Sequence, residues 1–249
     1  MRPSAPATFL LAAFFANACS APPATPSASS VEQAKAEAAQ QLVGEWVPDA
    51  FLSCVEEHRS VHACVPQLND YFGLEVVAAS PDTLRLNGFT THEGLSEVRC
   101  VFDTASARFR AVDGSTKELI VIDKDHLELV TEGEKRERFR RAEDPWTAIN
   151  TILFGPAFVS AKGDTVSFDP KGLVEGIPDM DRFEVLTDHT EGYDDRDILF
   201  LYTDERNWDT DAYHFKFAGD TLRLYHMEKV GELQFQQGPL TYELVRMAH

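Results

Sequence analysis

Basic residues and long apolar runs are both scarce in this chain. Its 249 residues include 23 Lys and Arg against 41 Asp and Glu, which gives a formal net charge of −18. Nucleic acids and anionic bilayers both attract basic protein surfaces, so this charge argues against either as an electrostatic partner. Beyond residue 19, no apolar run is long enough to span a membrane as a helix. The charge is typical of a well-solvated protein.

The common catalytic and metal-binding motifs are also absent. The sequence has no G-x-S-x-G, no H-E-x-x-H, no phosphate-binding glycine loop and no C-x-x-C. The acidic stretch at residues 175–211 lacks the D-x-D-x-D-G spacing of a calcium loop, so we expect a solvated acidic rim there. We therefore expect no enzyme activity, no cofactor and no metal site.

The N-terminus has the layout of an export signal. Arg2 precedes an apolar run at residues 9–16 that is too short for a permanent membrane helix, and small residues then lead to Cys19. The sequence "ANAC" resembles a lipobox, in which the cysteine becomes the acylated first residue of the mature chain. We therefore expect a signal peptide at residues 1–18 and lipidation of Cys19.

The residues after Cys19 favour an anchored protein over a freely secreted one. The run "SAPPATPSASS" has no side chain large enough to pack, which predicts a tether within residues 19–40. In a host with two membranes, the resemblance to lipoproteins implies that Ser20 directs the protein to the outer membrane, facing the periplasm. Cleavage after Ala18, in a segment that also fits the A-x-A rule, is the alternative and would give a secreted protein.

Alternation of apolar and polar residues dominates from residue 42 onward. Leu84 and Leu86 in "TLRLNGF" would share one face of a strand, as would Phe109 and Ala111 in "ARFRAV". Turn signals separate such runs and give about eight candidate strands between residues 42 and 141. Short strands at this spacing predict an antiparallel meander that closes into a small barrel.

A short helix is predicted between two β-rich halves. In "EDPWTAINTILFGP", Asp144 can cap the helix, Pro145 suits its first position, and Gly155 and Pro156 end it. Its apolar side chains that would share one face are Trp146, Ile149 and Leu153.

The alternation resumes after this helix, and "SPDTLRLNGF" in the first half is echoed by "AGDTLRLYHM" in the second. The expected organisation is a first β domain at residues 41–143, a linker helix at 144–156 and a second β domain at 157–249. The fold class is thus mainly β, with two antiparallel barrels or meanders after a disordered tether.

The opening "LVGEWV", the later "DTLRL" and the basic strand "RFRR" resemble the lipocalin-like (calycin) domains of bacterial envelope lipoproteins. Gly44 and Trp46 match the Gly-x-Trp of lipocalins, and the basic strand offers an Arg to stack on that Trp. The element "GFTTHEG" is similar to an "FHEG" element of the same group. The resemblance covers residues 41–141, and 157–247 more loosely. It implies a binding or structural role, although the cysteine-rich insert after the first strand argues against a deep cavity.

The segment "CVEEHRSVHAC" holds two of the four cysteines. On one continuous helix Cys54 and Cys64 would lie about 15 Å apart, so a disulfide between them needs a break, which Ser60 could provide by capping a second short turn. Lipidation of Cys19 would leave one bridge and one spare thiol in an oxidising compartment. We favour a Cys54–Cys64 disulfide, with a bridge from this segment to Cys100 as the alternative.

A zinc site is a further alternative for the same segment. Cys54, His58 and His62 would share one helix face, and two of these side chains together with Cys64 could bind zinc, which accepts Cys and His ligands. However, Cys54 and His62 would lie about 12 Å apart along the helix, so all three reach one ion only if the helix breaks.

His92 and Glu93 are the remaining candidates for chemistry. A histidine beside a carboxylate at a barrel mouth could act as a general base, but a polar hairpin turn explains the pair as well. We expect these two residues to be ligand-binding candidates rather than catalytic ones.

The leading functional hypothesis is a module that binds a small apolar or amphipathic molecule. It predicts an apolar cavity in the first half, lined by side chains such as Phe102, Phe109, Leu127 and Phe139. The rival hypothesis is a non-catalytic scaffold, whose protein partner the sequence does not identify and which needs no cavity.

Overall fold

The computed structural model describes residues 28–69, 71–90, 96–115, 117–131, 135–188, 196–203, 210–231 and 234–247. Its strands form two eight-stranded antiparallel sheets, which confirms the mainly β fold class. The helices are α1 Ala28–Leu42, α2 Asp49–His58, a 3₁₀ helix His62–Gln67, and α3 Pro145–Phe154. No helix within these ranges is both long and apolar enough to cross a membrane.

The first sheet is a closed barrel in which each strand pairs with the next and the last returns to the first. Its strands are β1 Gly44–Pro48, β2 Gly73–Ser80, β3 Thr83–Phe89, β4 Ser96–Asp103, β5 Arg108–Ala111, β6 Glu118–Val121, β7 His126–Val130 and β8 Arg136–Ala142. Val47 on β1 lies opposite Arg140 on β8, which closes the ring. The predicted eight-stranded meander over residues 42–141 is therefore confirmed.

Helix α1 begins inside the segment that we assigned to the tether. Its last turn packs on the barrel. Ala39 and Leu42 are buried there in the hydrophobic cluster of the first barrel, here called the first core. Only residues 19–27 of the expected tether lie outside the described ranges, together with the expected signal peptide at residues 1–18.

Arg141 stacks on Trp46, as the sequence predicted for the basic strand. Its guanidinium carbon lies 4.1 Å from the centroid of the indole ring. The same guanidinium donates to the carbonyls of Val43, at 2.8 Å, and Lys124, at 2.9 Å. Trp46 Nε1 in turn donates to the Leu42 carbonyl at 2.9 Å. This group joins the end of α1 to the first and last strands of the barrel.

The second sheet is almost closed. Its order is β11-β10-β9-β16-β15-β14-β13-β12. Its strands are β9 Phe158–Ser160, β10 Thr165–Phe168, β11 Val174–Glu175, β12 Arg182–Val185, β13 Ile198–Tyr202, β14 Asp211–Ala218, β15 Thr221–Lys229 and β16 Phe235–Arg246. Two backbone hydrogen bonds link the outer strands, from Val174 N to Asp181 O at 3.0 Å and from Phe183 N to Gly172 O at 2.8 Å.

Helix α3 has the predicted ends, and the three side chains predicted to share a face differ in their exposure. Asp144 caps it by accepting from Thr147 N at 2.8 Å, and Pro145 is its first residue. Ile149 and Leu153 are fully buried. Trp146, which we placed on the same face, lies in the first turn and is 42% exposed.

The cysteine-rich segment contains the predicted disulfide. Cys54 and Cys64 are bonded at 2.05 Å, and Cys100 is a free, buried thiol. The bridge is possible because α2 ends before Ser60, whose hydroxyl accepts from Ala63 N at 3.0 Å. The bridge to Cys100 and the zinc site were therefore wrong as alternatives.

Helix α2 and the 3₁₀ helix, here called the disulfide segment, pack into the hydrophobic cluster of the second sheet, here called the second core. Phe51, Val55, Val61 and Cys64 belong to the same buried cluster as α3 and the interior of the second sheet. Asp197, just before β13, reinforces this contact because its Oδ1 accepts from Val61 N at 2.7 Å and from His62 N at 2.8 Å. An insert in the first barrel thus completes the interior of the second.

Candidate functional site

The interior of the first barrel is filled by its own side chains. Phe109 is 1% exposed, and Leu127 and Phe139 are 0% exposed. Phe102 is half-buried and packs edge-on against Phe109, with 5.1 Å between ring centroids. A ligand at these residues would therefore have to displace core side chains.

A polar group closes one end of this barrel. The Lys117 ammonium donates to the Tyr71 hydroxyl at 2.5 Å, and the Ser96 hydroxyl donates to the same oxygen at 3.2 Å. The Tyr71 ring is buried against Gly88, where a side chain would collide with it. His92 and Glu93, between β3 and β4, lie outside the described residues, as does Cys19.

The candidate site is a groove beside the linker helix, here called the α3 groove. It encloses about 470 Å³ between α3, the β10–β11 turn and strand β12. The side chains that shape it are Trp146, Asn150, Phe183, Val185 and Tyr202. This volume lies within the usual range of small-molecule sites.

Packing holds the walls of the α3 groove in place. The Trp146 ring packs edge-on against Phe72, with 5.4 Å between centroids, yet stays open to solvent. Asn150 is only 7% exposed, and its amide donates to the Pro170 carbonyl at 2.9 Å, which fixes the β10–β11 turn. Phe183 and Val185 are buried and form the apolar floor. The groove therefore has a preformed aromatic and apolar surface.

Carboxylates dominate the rim of the groove. Glu143, Asp144 and Glu184 line it, and Lys171 is the basic residue among the lining side chains. Lys171 pairs with Glu143 at 3.2 Å. The Glu184 side chain is exposed, but the surrounding protein displaces enough water to raise its pKa above the usual glutamate value.

The carboxylates beside the groove also act on Glu45 of β1 in the first barrel. The pKa of Glu45 is raised by burial first, and then by the charges of Asp144, Glu75 and Glu143. Four carboxylates therefore lie close enough to interact near the N-terminal end of α3, where Lys171 pairs with one of them, Glu143.

The acidic stretch at residues 175–211 is only partly described. Asp179 and Asp181 are exposed, whereas Asp197 is used to hold the 3₁₀ helix. Glu191, Asp194 and Asp195 lie outside the described residues. Within the described ranges, no group of three or more His, Cys, Asp and Glu side chains is arranged to hold a metal ion.

Sequence reasoning missed the α3 groove. Its walls come from residues about 30 to 60 positions apart, and the sequence predicted for Trp146 only that it shares a helix face with Ile149 and Leu153. The available signal was that Trp146 stands beside the charged pair Glu143 and Asp144 in the linker helix. No family model, no curated protein and no solved structure matches this chain. The site must therefore be interpreted from its own geometry.

Proposed function

We propose that this protein is an exported, lipid-anchored and non-catalytic binding module that holds a small amphipathic molecule in the α3 groove. The observation that carries the proposal is the meeting of an exposed Trp146, an apolar floor and a carboxylate rim in one cavity of about 470 Å³. The ligand is an amphipathic cation, whose apolar part contacts Phe183 and Val185 and whose charged group faces Glu184.

Charge and aromatic chemistry together support a cationic head group. An organic cation over an indole face gains about 0.5–2 kcal/mol, depending on how much water is removed. Glu184 lines the groove and supplies a complementary charge, whereas the charge of Glu143 is already paired with Lys171. An anionic amphiphile would gain neither contact and would be repelled.

Sequence and fold also support the proposed location. The signal-like residues 1–18, Cys19 and the following tether sequence suit an exported lipoprotein. The Cys54–Cys64 disulfide suits an oxidising compartment. The stacked Trp46 and Arg141 in a closed eight-stranded meander support the proposed kinship with lipocalin-like domains.

The ligand proposal is tested by titrating residues 20–249 with dodecyltrimethylammonium below its micellar concentration, followed by calorimetry and native mass spectrometry. We expect one molecule to bind. Trp146→Ala should weaken binding at least tenfold, because it removes the aromatic wall. Glu184→Gln should weaken it several-fold without changing the size of the cavity.

Two controls make this titration decisive. Glu97→Gln removes an exposed carboxylate from the first barrel and should leave affinity unchanged. Dodecyl sulfate offers the same alkyl chain with the opposite charge and should not bind in the groove. Equal binding of both amphiphiles, or no effect of Trp146→Ala, would refute the proposal.

The lipid anchor is tested separately in cells. Metabolic labelling with an alkyne fatty acid should label the wild-type chain and not a Cys19→Ala variant. An unlabelled wild-type protein that begins at residue 19 would instead indicate ordinary cleavage and secretion.

A scaffold is the second candidate function, and the filled interior of the first barrel favours it. A barrel whose core is occupied has only its outer surface to offer a partner. This alternative predicts no ligand in the α3 groove and a stable protein complex after crosslinking in the envelope.

A further inference from the structure

Strand β16 has an open edge beside a cleft in the second barrel wall. β16 pairs with β15 along its length, but it meets β9 only at Leu244, Val245 and Arg246. β9 is three residues long, because the chain turns into β10 after Ser160. In the described part of the chain, residues 238–243 therefore have no strand on that side.

The space that a longer β9 would fill is open. A cleft of about 530 Å³ lies there, bounded by residues 241–244 on one side and by the β9–β10 turn and Pro178 on the other. Its inner surface includes the side chains of Val166, Tyr242 and Leu244. Val166 and Leu244 belong to the buried core of the second barrel. The cleft thus combines an open strand edge with access to apolar side chains.

We infer that this β16 cleft binds an extended, basic peptide segment of a partner protein, which adds to the edge of β16 as a further strand. The inference rests on the open edge and its cleft, independently of the α3 groove. Backbone N–H and C=O groups of a strand edge are matched by another extended chain, and alternate side chains of that chain would enter the cleft. The four residues 240–243, between Pro239 and the paired Leu244, offer about 10 Å of edge, enough to pair the central residues of a five-residue segment.

Charge selects a basic partner over a second copy of the chain. Asp164, Glu243 and Lys162 line the cleft, and Glu243 also pairs with Arg223 of β15 at 2.8 Å, which leaves Asp164 as the carboxylate without a basic partner among the described residues. The pKa of the Tyr242 hydroxyl is raised by burial first, with further contributions from the charges of Asp211 and Asp179. Two further acids therefore act on the same opening. Since the whole chain carries a net charge of −18, two copies repel each other and a basic segment is attracted.

Pro239 limits where the added strand can pair. A proline has no N–H to donate, and edge prolines hinder extended pairing. The register of β16 against β15 also shifts near Tyr225. Both features restrict strand addition to the short stretch next to the cleft, which favours a short peptide over open-ended assembly.

The test uses residues 20–249 and four fluorescent pentapeptides of the form Lys-X-Lys-X-Lys, in which X is Val, Leu, Phe or Tyr. We expect at least one to bind with a Kd below 1 mM and to slow the amide exchange of residues 240–243. Thr241→Lys places a positive charge on this exposed edge and should weaken binding at least tenfold. Thr104→Lys makes the same change at an exposed turn of the first barrel and should alter affinity less than twofold.

The other outcomes each overturn the proposal. Failure of all four peptides to bind, or equal binding of the Glu-X-Glu-X-Glu series, would refute the basic partner. Binding without added protection at residues 240–243 would indicate a general electrostatic contact. A dimer whose β16 edge is already protected without peptide would assign the cleft to a second copy of the chain.

Discussion

At the scale of single residues, one arginine near the end of each barrel plays a matching part. Arg141 stacks on Trp46, and Arg246 lies 5.8 Å from the Phe158 ring centroid. Arg246 also donates to the Leu153 carbonyl at 3.1 Å, much as Arg141 donates to the carbonyl of Val43 after α1. Each guanidinium thus satisfies carbonyls at or just beyond the end of the helix that precedes its barrel. The echo between the two halves extends to this contact.

Arg141→Met should lower the free energy of unfolding by about 2 kcal/mol, because it removes a stacked cation and charged hydrogen bonds. Arg138→Met is the matched control on the same strand, since among the described residues Arg138 forms a 3.9 Å ion pair with Asp49 and no shorter one. That variant should change the free energy by less than about 0.5 kcal/mol. Urea unfolding measures both, and equal losses would contradict the special role of Arg141.

Glu45→Gln should stabilise the protein at neutral pH. The fold raises the pKa of Glu45, so the folded state favours its protonated form. The resulting penalty is absent below the unfolded pKa, near 4.3, and grows as pH rises through the folded value. We expect a gain below about 1 kcal/mol at pH 7, since this site is partly solvated. Thermal unfolding at pH 7 and pH 4 should show the gain shrinking in acid; a constant gain would contradict this cause.

At the scale of elements, the disulfide segment, which comprises α2 and the 3₁₀ helix, connects the two barrels. Arg140 of β8 donates to Asp49 Oδ1 at 2.9 Å and to Glu56 Oε1 at 2.6 Å, which ties α2 to the first barrel. Asp197 ties the 3₁₀ helix to the second. The disulfide between Cys54 and Cys64 holds these two attachments at a fixed separation.

The double variant Cys54→Ala, Cys64→Ala should therefore lose about 3 kcal/mol of stability, as expected for closing a loop of this length. The amides of Val61 and His62 should also exchange faster through local opening, beyond the effect of global stability. Hydrogen exchange measures this against amides of β3. Cys100→Ala, which removes a buried thiol without breaking a bond, should not expose those two amides selectively. Selective exposure in that control would contradict the role of the staple.

Local patterns were sufficient to predict most of these elements. Alternation predicted the strands because one face of each is buried, and Asp144 and Pro145 marked the start of α3 through capping chemistry. The packing of the disulfide segment into the second core could not be predicted, because nothing near Phe51 or Val55 in sequence specifies that contact. The exposure of Trp146 was missed for the same reason. Both depend on contacts between distant parts of the chain.

At the scale of the whole molecule, one buried cluster makes the halves interdependent. It includes Val47 of β1 and Phe72 just before β2. Buried side chains of the disulfide segment, of α3 and of the interior of the second barrel complete it. Strands of the first barrel therefore hold side chains that the second core requires. A domain boundary drawn in the linker helix would separate residues that pack together.

This shared cluster predicts that the two barrels unfold in one transition. In protein labelled with 5-fluorotryptophan, the ¹⁹F signals of Trp46, in the first core, and Trp146, on α3, should lose their native shifts at the same urea concentration. Phe109→Ala creates a cavity in the first barrel only and should cost about 3–5 kcal/mol. Because the barrels are coupled, it should lower the Trp146 midpoint as much as the Trp46 midpoint. If Trp46 alone shifts, the halves are independent domains, and the contacts of α2 with the second core contribute little to stability.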